Sequence, residues 1–177
     1  MATVGELTPE GTRNLVQVLG RRRHAGELWL HVRLPSGALE QRGWVPRRAL
    51  GGYVFVHTRL VIDERRLRAV LLRNGRPVFA TPVGIGAPGT ETPRGKFYIR
   101  NRLTRYAGAT YGPLAFGTSA RATGLTDWPD GGFIGIHGTD RPQLIPGRIS
   151  HGCIRMRNAD IVALDKRMPV GTPLTVR

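Results

Sequence analysis

The only cysteine of the chain, Cys153, lies within the segment ISHGCIRM, next to side chains that can change its reactivity. A thiol is a useful nucleophile at neutral pH only when its thiolate is stabilised, because the free group has a pKa of about 8.5. An imidazole is the usual partner, and two are available. His151 stands two residues before the cysteine, and His137 ends a separate apolar stretch. In an extended segment His151 and Cys153 point the same way, whereas His137 can approach only if its strand lies beside that segment.

Two further residues of this segment suit a cysteine nucleophile. Gly152 lets the backbone take an unusual turn and leaves its N–H unobstructed, so the amides of Gly152 and Cys153 could form an oxyanion pocket. The guanidinium of Arg155 would favour the thiolate or hold a substrate carboxylate.

Two other interpretations of Cys153 stay open on this pattern. A lone cysteine is most often a small buried hydrophobe, although a histidine, a glycine and an arginine are poor neighbours for core filler. A zinc site from His137, His151 and Cys153 is also conceivable, with Asp140 as the fourth ligand. No paired spacing such as CxxC or HExxH supports it. The other histidines have no evident partner and are expected to be structural or exposed: His24, His31 and His57.

Length and composition are those of a soluble globular protein. The 177 residues suffice for one good-sized domain, or for one domain with a small appendage. Hydrophobic residues make up 40% and charged residues 22%, and no apolar run is long enough for a membrane helix. One cysteine excludes an intramolecular disulfide, so cysteine usage does not reveal the redox compartment.

The formal net charge of +15 comes almost wholly from scattered arginines, whose longest run is RRR at 21–23. An arginine-biased solvated surface is the favoured account, and attraction to an anionic polymer such as cell wall is the second. Nucleic acid comes last, because no basic helix or aromatic-studded stripe accompanies the charge. We therefore predict no nucleic-acid partner.

The strands that must position the site follow from apolar patterning. Residues 15–53 contain short alternating runs typical of a small barrel, and core packing is favoured for Trp29 and Trp44. Longer strands are predicted from Tyr53 onward, with a tight hairpin at Asn74-Gly75. The predicted strand segments are YVFVHTRLVID, LRAVLLRNGRPVFATPVGIG and GKFYIRNRL.

The remaining segments complete the site region. Residues 104–128 are predicted to be a long loop over a site, with a strand near 114–117, and Tyr106, Tyr111 and Phe116 argue against disorder. GGFIGIHGT predicts a short buried strand that ends at His137 and Gly138. Asn158 is expected to cap a helix over ADIVALDKRM, and PLTVR is a closing strand.

Three separated motifs in this order, GTETPRGKFYI, FIGIHGT and SHGCIRM, resemble the L,D-transpeptidase (YkuD-type) catalytic domain over residues 53–177. In addition, WLHVRLPSG followed by GWVP resembles the second half of a bacterial Src-homology-3-like barrel, which predicts an accessory module over residues 1–52. The resemblance implies a mainly β fold: a YkuD-type β-sandwich with one short C-terminal helix after the catalytic cysteine. The N-terminal part would be a small barrel-like β module.

The resemblance also implies a role for each residue of the cysteine site. Cys153 would be the nucleophile and His137 the general base, with the carbonyl of Gly138 orienting the imidazole. His151 and the amides of Gly152 and Cys153 would line the oxyanion site. The expected substrate-binding residues are Arg155, Tyr111 and Ser150. No metal or organic cofactor is expected.

The implied reaction is peptidoglycan cross-linking by two acyl transfers. The thiolate attacks the carbonyl between the L-centre of diaminopimelate and terminal D-alanine of a tetrapeptide stem, and an amine of a neighbouring stem then resolves the thioester. Water in place of the amine would make the protein an L,D-carboxypeptidase, and a non-catalytic wall-binding protein is a further alternative. Carbapenems are expected to acylate the same sulfur.

A wall substrate also predicts the location of the protein. Residues 1–20 lack both a basic start and a continuous apolar stretch, so they do not resemble a secretory signal. We therefore expect an extracytoplasmic protein, in the cell wall or periplasmic space, whose signal or anchor lies outside this sequence.

Overall fold

The structure is a computed structural model that describes residues 5–34, 41–104, 108, 110–122 and 132–177. Within these residues the strands form two sheets, one with three strands and one with ten. The three strands of the N-terminal sheet are β1 (Gln17–His24), β2 (Glu27–Arg33) and β3 (Arg42–Pro46). The strands of the larger sheet are β4 (Thr58–Asp63), β5 (Arg68–Arg73), β6 (Arg76–Pro82), β7 (Gly84–Gly86), β8 (Gly95–Leu103), β9 (Ala115–Arg121), β10 (Phe133–His137), β11 (Gly147–Ser150), β12 (Ile154–Arg155) and β13 (Pro173–Val176).

The N-terminal sheet is an antiparallel meander in the order β1-β2-β3. Leu30 and Val32 of β2 are fully buried on one face, as a half-buried strand requires. The short strands predicted here are confirmed. Within the described residues they form a three-stranded sheet, and its assignment as a Src-homology-3-like barrel stays a prediction.

The prediction that Trp44 packs in the core is wrong. Trp44 pairs with His31 across β2 and β3, on the face opposite the buried Leu30, so the pleat directs it outward. The indole is 38% exposed and stacks on His31 with 5.0 Å between ring centroids. The guanidinium of Arg22 lies 4.2 Å from the Trp44 ring centroid. His31 therefore has a structural partner that the sequence pattern did not indicate.

The strand predicted from Tyr53 begins later, at Thr58. The β4–β5 ladder ends at the pair Thr58–Arg73 because the chain turns back at Asn74-Gly75, where both residues have positive φ. This turn confirms the predicted hairpin and leaves residues 53–57 outside the ladder, where Phe55 is 81% exposed.

The ten-stranded sheet has the order β11-β7-β12-β10-β9-β8-β13-β4-β5-β6. β13 inserts between β4, to which it is parallel, and β8, to which it is antiparallel. Leu60 and Leu71 near one end share a single hydrophobic core with Ile134 and Ile154 near the other, so the sheet curls on itself around that core. The predicted mainly β, sandwich-like fold is confirmed.

The only α-helix among the described residues, α1 (Asn158–Asp165), follows the cysteine segment as predicted and packs Ile161 and Leu164 into the core. It ends before the predicted limit, and the Arg167 guanidinium donates to the carbonyl of Ala163 near its end at 2.7 Å. The predicted capping role of Asn158 is wrong. Arg157 occupies the N-cap position, and the Asn158 side chain bonds elsewhere, as described below.

The predicted loop over 104–128 is only partly within the described residues, since 105–107, 109 and 123–131 lie outside them. Tyr106 belongs to that excluded part. The strand predicted near 114–117 is confirmed as β9. No helix in the described part of the chain is long and apolar enough to cross a membrane.

Candidate active site

Cys153 lies directly before β12 and beside the middle of β10. The two strands pair in parallel with Arg155 opposite His137, and the backbone N–H of Gly135 donates to Cys153 Sγ at 3.3 Å. Residues two apart on a strand point to the same face, so Gly135 and His137 face the same side of the sheet. The sulfur therefore contacts the backbone of the strand that carries His137, two residues before the imidazole, and the thiol is half-buried and not sealed in the core.

The imidazole of His137 is buried, with 2% of the residue exposed. Its Nδ1 lies 2.6 Å from the carbonyl oxygen of Gly138, which can only accept, so Nδ1 carries the proton and Nε2 has the lone pair. Burial lowers the pKa of His137 to about 4, the bond to Gly138 opposes this shift, and the charge of Arg155 adds to it. At neutral pH His137 is therefore a neutral imidazole whose Nε2 can accept a proton.

The carbonyl that orients His137 is fixed by a side chain the sequence interpretation had assigned to a helix cap. Asn158 Oδ1 accepts a hydrogen bond from the N–H of Thr139 at 2.9 Å, directly after Gly138. A Cβ at Gly138 or at Gly112 would clash with this same oxygen. Both positions therefore require glycine, and Asn158 holds the peptide that aligns the base. Only the tertiary contact between α1 and the end of β10 shows this role.

The Ser150 side chain bonds to the backbone around Cys153. The residue is 2% exposed, and its hydroxyl donates to the carbonyl of Cys153 at 2.5 Å and accepts from the N–H of Gly152 at 3.2 Å. These bonds hold the backbone on both sides of Gly152, and the substrate-binding role of Ser150 stays a prediction. The second of these bonds occupies the N–H of Gly152, which is one of the two donors predicted for the oxyanion pocket. Gly152 has φ +115°, which favours glycine at this turn.

The upstream motif GTETPRGKFYI holds the cysteine loop, residues 150–153, in place, a function that the sequence did not indicate. Thr92 is buried, accepts from the N–H of Gly86 in β7 at 3.0 Å and donates to the carbonyl of Gly152 at 2.8 Å. Thr90 Oγ1 donates to the carbonyl of Ser150 at 3.1 Å. Two threonines of one motif therefore fix the backbone directly before Cys153 by hydrogen bonds.

The remaining predicted residues surround this centre. The rings of Tyr111 and His137 meet edge to face, with 5.0 Å between centroids and 71° between planes. His151 is exposed and Arg155 is half-buried beside His137. The structure thus brings Tyr111 and Arg155 to the base, while His151 lies at the surface of the cysteine loop.

The residues considered as zinc ligands do not form a metal site in the described part of the chain. Among the residues that the structure describes, His, Cys, Asp and Glu side chains form no group of three or more that could hold a metal ion. Asp140, the expected fourth ligand, is exposed. The arrangement instead provides a half-buried thiol and a neutral imidazole that is oriented by a carbonyl, which are the groups that acyl transfer by a cysteine would use.

Three comparisons with known proteins place this arrangement in a family. The Bacillus subtilis protein YkuD, named as an L,D-transpeptidase, is 36% identical over 103 residues, which are 58% of this chain and 56% of that protein. The solved Ldtfm–avibactam carbamoyl enzyme superposes with a TM-score of 0.53 at 25% identity, over 70% of this chain and 49% of that one. LdtMt1 in complex with imipenem has a TM-score of 0.54 at 17% identity, over 96% and 80% of the chains, and its likeness concerns the fold alone.

The family model of the YkuD L,D-transpeptidase catalytic domain matches residues 53–176. That range contains the cysteine loop, the strand of the base and the threonine motif, whereas the N-terminal sheet lies outside it. The chain therefore belongs to the YkuD family of L,D-transpeptidase catalytic domains.

Proposed function

We propose that the protein is a peptidoglycan L,D-transpeptidase with Cys153 as its nucleophile. The observation that carries this proposal is the contact of the Cys153 sulfur with the backbone of β10, two residues before the buried, carbonyl-oriented imidazole of His137. Family membership supports the reaction class, and a relative is known as a carbamoyl enzyme with avibactam, which requires an acylated group in that protein.

In the first step the sulfur of Cys153 attacks the carbonyl that joins diaminopimelate to the terminal D-alanine of a tetrapeptide stem. His137 Nε2 takes the thiol proton as the C–S bond forms. The C–N bond to D-alanine then breaks, and the imidazolium returns the proton to the leaving amine. Because burial holds the pKa of His137 at about 4, the imidazolium is a strong acid and donates this proton readily.

In the second step an amine of a neighbouring stem attacks the thioester. The new C–N bond forms the cross-link, the C–S bond breaks, and the amine proton returns to the sulfur through His137. We assign the Cys153 amide to the oxyanion, since the Gly152 amide already donates to Ser150. Arg155, beside the base, would bind a stem carboxylate, with Tyr111 and His151 contacting the stem.

The experiment that tests this function is product analysis after incubation of the purified protein with tetrapeptide-stem muropeptides. We expect free D-alanine together with a cross-linked dimer, both identified by mass spectrometry. Release of D-alanine with only tripeptide stems would identify an L,D-carboxypeptidase. The absence of both D-alanine and dimer would contradict acyl transfer at this site.

We also propose that residues 1–52 serve as an accessory module that attracts the protein to the anionic wall outside the cytoplasmic membrane. In the described residues 17–34 and 41–50 the acidic side chain is Glu27, which pairs with Arg48. Strands β1 and β3 carry several exposed arginines, so basic side chains outnumber acidic ones and the sheet has a concentrated positive charge. The exposed arginines of these two strands are Arg21, Arg22, Arg23 and Arg42.

Replacing Arg21, Arg22 and Arg23 together by glutamine is expected to reduce co-sedimentation of the protein with insoluble peptidoglycan. The reason is the loss of attraction between this sheet and wall carboxylates, which added salt should also weaken. A variant with three exposed arginines of the catalytic sheet changed to glutamine has the same net charge and is the matched control. An equal loss of sedimentation in both variants would contradict a specific role for the N-terminal sheet. The control positions are Arg59, Arg68 and Arg76.

A further inference from the structure

We propose that Glu10, which precedes the residues matched by the family model, is a positioning residue for the nucleophile. It acts through hydrogen-bonded neighbours that lead from the N-terminal segment to the strand beside Cys153. The inference rests on the proposed function only for the identity of the reaction, because the contacts themselves concern the thiol.

Glu10 is buried against the catalytic sheet although it belongs to the N-terminal segment. Only 3% of the residue is exposed. Its carboxylate forms an ion pair with Arg100, which is 2% exposed, and accepts a hydrogen bond from Asn101 Nδ2 at 3.1 Å. The hydroxyl of Tyr98 donates to the carbonyl of Leu15 at 2.7 Å and fastens the same segment to β8. The carboxylate is therefore a fixed part of the catalytic unit.

The side-chain amide of Asn101 connects Glu10 to the strands beside Cys153. Asn101 Oδ1 accepts from the N–H of Gly117 in β9 at 3.1 Å, and a Cβ at Gly117 would clash with that oxygen. Gly117 pairs with Gly135 in β10, and the N–H of Gly135 donates to Cys153 Sγ at 3.3 Å. Four successive contacts thus connect the Glu10 carboxylate with the sulfur: Glu10 with Asn101, Asn101 with Gly117, Gly117 with Gly135, and Gly135 with Cys153.

The guanidinium of Arg100 makes a second connection to β10. Its Cζ lies 3.7 Å from the ring centroid of Phe133, the first residue of that strand, and Arg121 lies 4.3 Å from the same ring. Burial lowers the pKa of Arg100, and the Glu10 carboxylate opposes that shift. Glu10 therefore keeps a buried guanidinium charged and compensated where β10 begins.

Both connections meet the sheet where its register is irregular. The β8–β9 ladder shifts between Ile99 and Asn101, and the β9–β10 ladder shifts between Phe133 and Gly135. Irregularities of this kind redirect side chains beside active sites and need local contacts to hold them in place. Glu10 contacts Arg100 and Asn101 at the first shift, and it reaches the second shift through the Arg100 guanidinium over Phe133. This is why we assign it a positioning role beyond simple docking of the N-terminal segment.

The test compares the reactivity of the thiol in Glu10→Gln with that of the wild-type chain, using iodoacetamide over a range of pH and imipenem at neutral pH. We expect both rate constants to fall by about tenfold or more, because a small displacement of a reacting group is costly. The pH profile of alkylation should move upward, since the Gly135 N–H that stabilises the negative sulfur is loosened. A purely structural role would leave this profile unchanged.

Two control variants separate positioning from stability. Glu6→Gln makes the same change at an exposed position of the same segment and should behave as wild type. Leu60→Val removes a methylene from the core in β4, away from β10, and should lower Tm without altering alkylation. If Glu10→Gln does not fold, Glu10→Asp retains the charge but retracts from Asn101, and it should show an intermediate loss.

Wild-type alkylation rates and pH profile in a folded Glu10→Gln or Glu10→Asp protein would overturn the inference. Alkylation requires only the thiol, so this result is independent of transpeptidation. A wild-type protein that releases no D-alanine, but whose alkylation depends on Glu10, would refute the proposed function and leave the positioning role standing.

Discussion

Replacing Cys153 with alanine is expected to abolish D-alanine release from tetrapeptide stems and to abolish covalent labelling by a carbapenem. The sulfur is the atom that accepts the acyl group, and His137 cannot substitute for it because the imidazole is buried. For a nucleophile that acts together with its base, the loss of turnover should be about 10⁴-fold or more. Release of D-alanine and intact mass after exposure to imipenem measure the two effects.

The fold of the Cys153→Ala protein should remain close to wild type. The thiol is half-buried, and its removal takes a sulfur acceptor from the N–H of Gly135 without opening the core. Circular dichroism and Tm therefore serve as the control. A carbapenem adduct on a folded Cys153→Ala protein would show that acylation occurs elsewhere and would contradict the assignment.

Replacing His137 with glutamine is expected to lower the rate of acylation by about 10²- to 10⁴-fold, the usual contribution of a general base. In the wild-type enzyme the base is unprotonated above its pKa of about 4, so kcat/KM should fall only when the pH drops through that value. Stopped-flow measurement of imipenem acylation against pH checks both points. An acidic limb near pH 6.5 would contradict a desolvated imidazole.

The same depressed pKa predicts how stability depends on pH. The unfolded imidazole, with a pKa of 6.5, binds a proton that the folded protein excludes down to a pKa of about 4. The free energy of unfolding contributed by neutral His137 is therefore full above pH 6.5 and falls as the pH drops toward 4, by roughly 3 kcal/mol in total. His137→Gln lacks this component, so its Tm should decline less than that of wild type over this window. Parallel Tm curves would contradict the burial argument.

The strand that ends at His137 and the polar surroundings of Cys153 were predictable because their signals are local. GGFIGIHGT is apolar enough to specify a buried strand ending at His137, and the polar neighbours of Cys153 mark it as more than core filler. The alternating runs likewise indicated most strands, and the Asn74-Gly75 turn closed its hairpin as expected. In each case the pattern repeats within a few residues and needs no distant partner.

The supporting contacts were not predictable because they join residues far apart in sequence. The Ser150 hydroxyl turns inward to the peptides around Cys153, Asn158 bonds to Thr139, and Thr92 bonds to the cysteine loop. Each of these side chains has several possible partners, and only the tertiary fold selects one. Glu10 is the extreme case, since an acidic residue near the N-terminus gives no sign that it will be buried beneath β8.

The position of β13 has a consequence for the order in which the chain can fold. Residues 173–176 separate β4 from β8, and among the described strands no ladder directly joins the β4–β5–β6 hairpins to the strands that hold the thiol and base. The hairpins can form from local contacts, but the two ladders that join the halves of the sheet, β13 with β4 and β13 with β8, need residues 173–176. A chain truncated before residue 173 would therefore lose both ladders, and its two halves would have to associate through their shared hydrophobic core without them.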